Sequence, residues 1–234
     1  MIAHETLWQL RILLRDRTAA FFTLIFPVIL LLLLARQIGE GNPDVLSMGI
    51  TVAVVMASFP ALAIGLAAAI ENGVVHRLRS TPLPSHVHLA GRMAASGILT
   101  IVSVLLVIVS ARFMEIEIAA TQLASLTLPL ALGWLVAAAW GIFVGAHARK
   151  TSAASFLSQI LLFPLYILES FLIGGGLPGW LEVLAQWSPL HQLVAVTSKA
   201  LKGNLASAWS AVVYLTMLAL VGFALAETRV RAMR

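Results

Sequence analysis

The chain has 234 residues, of which 60% are hydrophobic and 11% charged, with a mean hydropathy of +0.98 and a formal charge of +5. Soluble domains carry about 25% charged residues, which excludes that class, and the absence of cysteine excludes disulfides, thiolate metal sites and catalytic thiols. The modest positive charge is spread through short segments, as a membrane orientation signal is, and points away from nucleic-acid binding.

Residues 1–17 are too short and too charged to cross a bilayer. Leu7, Leu10 and Leu14 recur at helical spacing, with Trp8 and Leu13 beside them and Glu5, Gln9 and Arg11 elsewhere. That pattern predicts a helix lying along the cytoplasmic interface, with a frayed tail as the alternative. Arg11, Arg15 and Arg17 precede the first apolar run and no small-residue cleavage site clearly ends it, so a cleaved signal is not expected.

Six apolar runs follow, at about 18–35, 46–70, 93–111, 123–146, 151–173 and 205–226. At about 1.5 Å per residue each is long enough to cross the hydrocarbon, and in lipid each must be helical because the backbone finds no water to bond. Pro27, Pro60, Pro129 and Pro164 lie inside four of them and tend to kink their helices. Small residues at four-residue spacing, Ala61, Gly65 and Ala69, and again Gly141 and Gly145, permit close contact within one bundle or between two chains.

Arginine and lysine orient these spans. Arg11, Arg15, Arg17, Arg77, Arg79, Arg92, Arg149, Lys150, Arg229, Arg231 and Arg234 fall on one side, against Arg36, Arg112, Lys199 and Lys202 on the other. The positive-inside bias puts the richer side, with both termini, in the cytoplasm.

Residues 174–204, between the fifth and sixth runs, begin GGGLPGW, carry Trp180 and Trp187, and continue SPLHQLVAVTSKALKGN. Both pieces read as short amphipathic helices. A re-entrant cap over the outer end of a pathway is favoured, with Gly174, Gly175, Gly176 and Pro178 as its gate; a helix lying on the outer surface has the same signature. Gly174 and Gly179 have the spacing of a phosphate loop, but Trp180 stands where that loop needs lysine, so the chain is not expected to bind ATP or to be an enzyme by itself. His86 and His88 do not have metal-ligand spacing, and no metal site is expected.

The only clear ionisable group inside the six runs is Glu169, near the outer end of the fifth. It either reaches headgroup water or faces a pathway and attracts cationic amphiphiles. Phe163 and Tyr166 on the same helix, with Phe26 and Phe59, are candidates for an aromatic pathway wall. An ion-coupled carrier or channel is disfavoured by the empty midplane, and a membrane anchor or assembly factor does not explain kinked spans and a cap together.

ENGVVHRLRSTPLPSHVHLAGR, residues 71–92, interrupts this apolar chain on the cytoplasmic side. Residues 72–79 can form two helical turns, presenting Val74, Val75 and Leu78 to a partner and Arg77 and Arg79 to water or acidic groups. Pro82 and Pro84 then stop the helix and stiffen the return. At these residues the chain resembles the permease subunits of the ABC-2 type. The likeness also takes in RDRTAAFFTLIFPVILLLLL, LAGR, FPLYILESF before LPGWL, SPLHQLV and KALKGN.

The resemblance implies an all-α membrane protein, a single permease domain over 1–234, in which 71–92 carries a cytoplasmic coupling helix seated on an ATPase. Glu71, Gly73, Arg77, Leu78, Thr81 and Pro82 take that coupling role by match, and Val74 and Arg79 join them as residues that the helical turns present. It implies two separate ABC ATPase subunits, which hold ATP and magnesium, a second permease copy or a paralogous one, and surrounding membrane lipid in a bacterial plasma membrane. It implies export of a hydrophobic or amphipathic compound, with drug or antibiotic efflux favoured over a lipid-linked glycan. Glu169 stands where the family commonly has a small residue, so substrate preference does not carry over.

Overall fold

In the computed structural model, residues 2–15, 17–38, 42–74, 85–114, 116 and 118–232 are described. The elements are helical throughout, and no strand occurs among the described residues. In chain order they are α1 (Ile2–Arg15), α2 (Arg17–Ala20), a π-helical turn (Phe21–Ile25) and α3 (Phe26–Ile38). Next come α4 (Pro43–Glu71), α5 (Ser85–Arg112), α6 (Ala120–Ser125) and α7 (Thr127–Ala148). The chain continues with α8 (Thr151–Gly174), α9 (Gly179–Gln186), α10 (Pro189–Leu201), a 3-10 turn (Leu205–Ala208) and α11 (Trp209–Ala232).

Among the described residues, five stretches are long and apolar enough to cross a membrane: Pro43–Glu71, Leu89–Arg112, Ala120–Ala148, Thr151–Gly174 and Leu205–Arg229. The sequence also places a span at 18–35; there the apolar helix Phe21–Arg36 is shorter. Its helical run contains the π-turn just ahead of Pro27. Proline has no N–H to give the carbonyl four residues back, which here is Thr23, and that carbonyl accepts a hydrogen bond from Ser103 Oγ of α5 at 2.6 Å. A side chain of a neighbouring helix thus satisfies a buried backbone group that proline leaves free.

Burial sorts the long helices. The most apolar window of α4 is 61% buried, whereas that of α8 is 22% buried. A helix that is apolar on all faces belongs in the centre, and α4 takes that place, against α7 on one side with α5, α8 and α10 around it. The α4–α7 seam is set by glycine. A Cβ on Gly141 would stand 2.7 Å from the Phe59 carbonyl oxygen, and one on Gly145 2.5 Å from that of Ala63. The repeat of small residues therefore serves contact within this chain, backbone against backbone. Trp140 Nε1 on α7 donates to the Leu218 carbonyl of α11 at 3.1 Å, and Trp134 Nε1 to Ser96 Oγ of α5 at 3.1 Å. Each half-buried indole thus finds an acceptor on a neighbouring helix.

The N-terminal helix α1 packs on α5, with Thr6 and Gln9 buried and Leu7, Trp8 and Ile12 exposed. One expectation changes. Arg92, assigned above to the cytoplasmic loop, lies within α5, with its guanidinium against Gly65 and Nη2 donating to Gln9 Oε1 at 3.0 Å. The aliphatic stem of arginine tolerates such a position when its head group finds a partner.

Replacing Gly145 with valine should destabilise the detergent-solubilised protein by about 1–3 kcal/mol, because the α4 backbone must move away. Gly174→Ala, where nothing lies within 4 Å of the new methyl, should stay within about 0.5 kcal/mol of the parent. Thermal unfolding of both variants checks this.

Candidate functional site

The loop between α4 and α5 is pinned where it leaves the bundle and again soon after it returns. At the exit, α4 stops at Glu71 because Asn72 and Gly73 turn the chain: the Asn72 N–H reaches the Ala68 carbonyl at 2.9 Å and the Gly73 N–H that of Ile70 at 3.0 Å. Gly73 has φ +67°, the left-handed conformation that ends helices and favours glycine. Gly73 therefore terminates α4, and the two helical turns expected from residue 72 onward cannot begin before Val74, which is helical and half-buried. Arg77, Leu78, Arg79, Thr81 and Pro82 lie outside the described residues.

Glu71 is turned toward α8. Its Oε2 accepts from the Thr151 backbone N–H at 2.8 Å and from Thr151 Oγ1 at 2.5 Å. The first N–H groups of a helix lack intrahelical partners, and the N-cap residue ordinarily supplies an acceptor. Here the N-cap residue is Lys150, whose side chain makes no capping bond and has no acceptor to offer. A carboxylate distant in sequence does its work. At the return, the Arg92–Gln9 bond ties α5 to α1.

The opposite end of the bundle repeats the arrangement. Glu169, in the last turn and a half of α8, is 1% exposed, so it does not reach headgroup water. Its two oxygens lie 3.1 and 3.3 Å from His191 Nδ1, three residues past Ser188, which caps α10 by accepting from the His191 N–H at 3.0 Å. Asp44, in the first turn of α4, accepts from Ser198 Oγ at 2.5 Å and Lys202 Nζ at 2.9 Å, both near the C-terminal end of α10.

Glu71 and Glu169 share a feature. Each sits near the C-terminal end of its own helix, where the dipole disfavours negative charge, and against the N-terminal end of another, where it is favoured. Glu71 joins α4 to α8, Glu169 joins α8 to α10, and Asp44 joins α10 back to α4. Three carboxylates thus close a ring of three helices.

The aromatic candidates do not converge. Phe59 lines an apolar cavity of about 260 Å³ with Val55, Trp140, Leu162, Leu193 and Leu215, bounded by α4, α7, α8, α10 and α11. Glu169 lines a separate cleft of about 400 Å³ with Asp44, His191, Ser198, Lys199 and Lys202. Phe26 and Phe163 meet edge to face, ring centroids 6.4 Å apart, and line neither. Tyr166 is buried between these levels, its hydroxyl without a hydrogen-bond partner.

Gly174, Gly175 and Gly176 are exposed where α8 ends, and only Gly175, at φ +74°, needs to be glycine. Pro178 is the N-cap of α9, whose Trp180, Val183 and Leu184 are exposed, whereas α10 is largely buried. The two short helices therefore have different places: α9 lies on the surface and α10 is built into the bundle.

Thr151, His191, Asp44, Ser198 and Lys202 escaped the sequence reading as site residues. An acid at the C-terminal end of a long apolar helix, where its own dipole repels it, was the available signal for two of the three links.

Removing one partner of the Glu169–His191 pair leaves the other buried and unpaired, whereas making both apolar can be nearly neutral. His191→Leu should lower stability by about 1–3 kcal/mol. The double variant Glu169→Leu with His191→Leu should recover most of the loss in the same thermal unfolding assay.

No curated protein matches the chain. Residues 6–201 match the family described as ABC-2 type transporter, which takes in most of α1 through the whole of α10, and so the two pinned points beside the loop and the carboxylate contacts except that of Asp44 with Lys202. The chain belongs to the ABC-2 type transporter family, as a multi-pass membrane component of a transport system.

Proposed function

We propose that this chain is the permease half of an ATP-driven exporter, with six membrane crossings and both termini in the cytoplasm of a bacterial cell. The family match over residues 6–201 carries the reading. Phe21–Arg36 serves as the first crossing, with the bilayer thinned locally or flanking residues snorkelling to the interface, since a short apolar stretch is accommodated at modest cost. Exposed Trp180, Trp187 and Trp209 suit the outer interface, where indole rings concentrate.

Two separate ATPase subunits hold ATP and magnesium and seat the loop at residues 72–84, with Arg77, Leu78, Arg79, Thr81 and Pro82 as the contacts. A second copy of the chain, or a paralogue, supplies the other half of the pathway. The cargo is a hydrophobic or amphipathic compound. An apolar cavity lined by Phe59 and Leu162, below an outer cleft that holds buried polar groups, offers successive surroundings for the two ends of such a molecule. Drug-like efflux is the favoured use.

Co-expression with a candidate ATPase, followed by purification and reconstitution in vesicles, tests this reading. Stable association, with ATP turnover and export that both require the permease, is the expected result; movement driven by an ion gradient without nucleotide contradicts it. Arg77→Glu with Arg79→Glu should still insert. Exposed pairs contribute only about 0–1 kcal/mol each. Two mismatched charges at a docking surface cost more, and affinity for the ATPase should fall about tenfold to a hundredfold. Normal transport by that double variant contradicts the coupling role.

A further inference from the structure

We infer that Glu71 is a positioning residue that directs displacement of the loop at 72–84 into α8, making α8 the rod between the cytoplasmic loop and the outer segment. The inference rests on the permease reading and adds the route by which the loop acts. It also gives Glu71 a part different from the one the family resemblance implied, because its carboxylate faces Thr151 inside the chain.

The geometry leaves few alternatives for this carboxylate. One oxygen takes two donors from a single residue, the N–H and hydroxyl of Thr151. It replaces a cap that Lys150 cannot provide. The turn joining α7 to α8 is only Arg149 and Lys150, and Arg149 has φ +55°, an uncommon conformation for a residue with a Cβ. The seam at Gly141 and Gly145 holds α7 to the α4 backbone. Hence the start of α8 is gripped from two directions by α4: directly through Glu71, and through α7 across a two-residue turn. A pull on residues 72–84 acts on Glu71 first, one residue away.

At its far end α8 is fastened to α10 by Glu169 and His191, and α10 to the start of α4 by Asp44. Between those ends α8 buries one face, with Ala154, Ser158, Leu162 and Tyr166, and turns Phe156, Ile160, Ile167 and Phe171 outward. A continuous helix fastened at both tips carries displacement from one to the other. Its interior proline, Pro164, does not interrupt the helical run.

The test uses the complete permease–ATPase complex in vesicles and the accessibility of Glu182→Cys, an exposed site on α9 in a chain without native cysteine. The rate of labelling by a membrane-impermeant maleimide is compared without nucleotide and with ATP trapped by vanadate. With Glu71 intact, nucleotide should change the rate. Glu71→Ala should reduce that change about fivefold, the factor that corresponds to a lost cap, while ATP turnover and ATPase association persist. Thr151→Val should reduce it partly, because the backbone N–H remains. Glu71→Ala combined with Thr151→Val should be no worse than Glu71→Ala alone.

An undiminished response in Glu71→Ala overturns the inference, as does additivity in the double variant. Loss of ATPase binding in Glu71→Ala also overturns it, since the residue would then be a docking contact. A parent complex that associates and turns over ATP but shows no nucleotide response at residue 182 overturns the rod while leaving the permease reading intact. A parent that never associates with the ATPase overturns both.

Discussion

Inside hydrocarbon, packing by apolar side chains does little to choose one arrangement of helices over another, because lipid tails offer nearly the same contacts. Arrangement then depends on close backbone approach and on polar contacts as well. In this chain three such contacts are carboxylates at helix ends: exposed Glu71 on the first N–H of α8, buried Glu169 on His191 of α10, and Asp44 on Ser198 and Lys202. They differ in strength. The Asp44–Lys202 contact is half-exposed, and such pairs contribute about 0–1 kcal/mol. Glu169 is fully enclosed, so loss of its partner is the more damaging event.

The ring works because of what stands beside it. Gly141 and Gly145 bring α7 against α4 at backbone distance, and the two-residue turn after α7 then fixes where α8 starts. Only from there can Glu71 reach Thr151. On the opposite side of the loop, Arg92 lies beside Gly65 and binds Gln9, so α5 and α1 form a second pair. Both ends of the loop are thus tied to α4: one leaves from its C-terminal end, and the other is held against Gly65 through Arg92.

Much of this was legible in the sequence and some was not. The long apolar runs announced α4, α5, α7, α8 and α11, because hydropathy over about 20 residues reports bilayer thickness directly. The amphipathic period of α1 was legible, and Leu7 and Trp8 of its apolar stripe are exposed; the burial of Thr6 and Gln9 was not legible. Gly73 was visible as part of a motif, yet its left-handed φ, which ends α4, removed two residues from the helix expected there. Glu169 stood out as the only acid in its span, while its partner His191 lies beyond a turn and a further short helix, where no period connects them. Thr151 was hidden for the same reason.

Fastened by the carboxylates, α4, α8 and α10 should move as one body. Spin labels on one permease protomer of the ATPase complex, at Phe171 of α8, Gln192 of α10 and Trp209 at the start of α11, check this by pulsed distance measurements with and without trapped nucleotide. The 171–192 distance should stay unchanged while the 171–209 distance changes. A 171–192 distance that shifts as much as the 171–209 distance, or more, contradicts it.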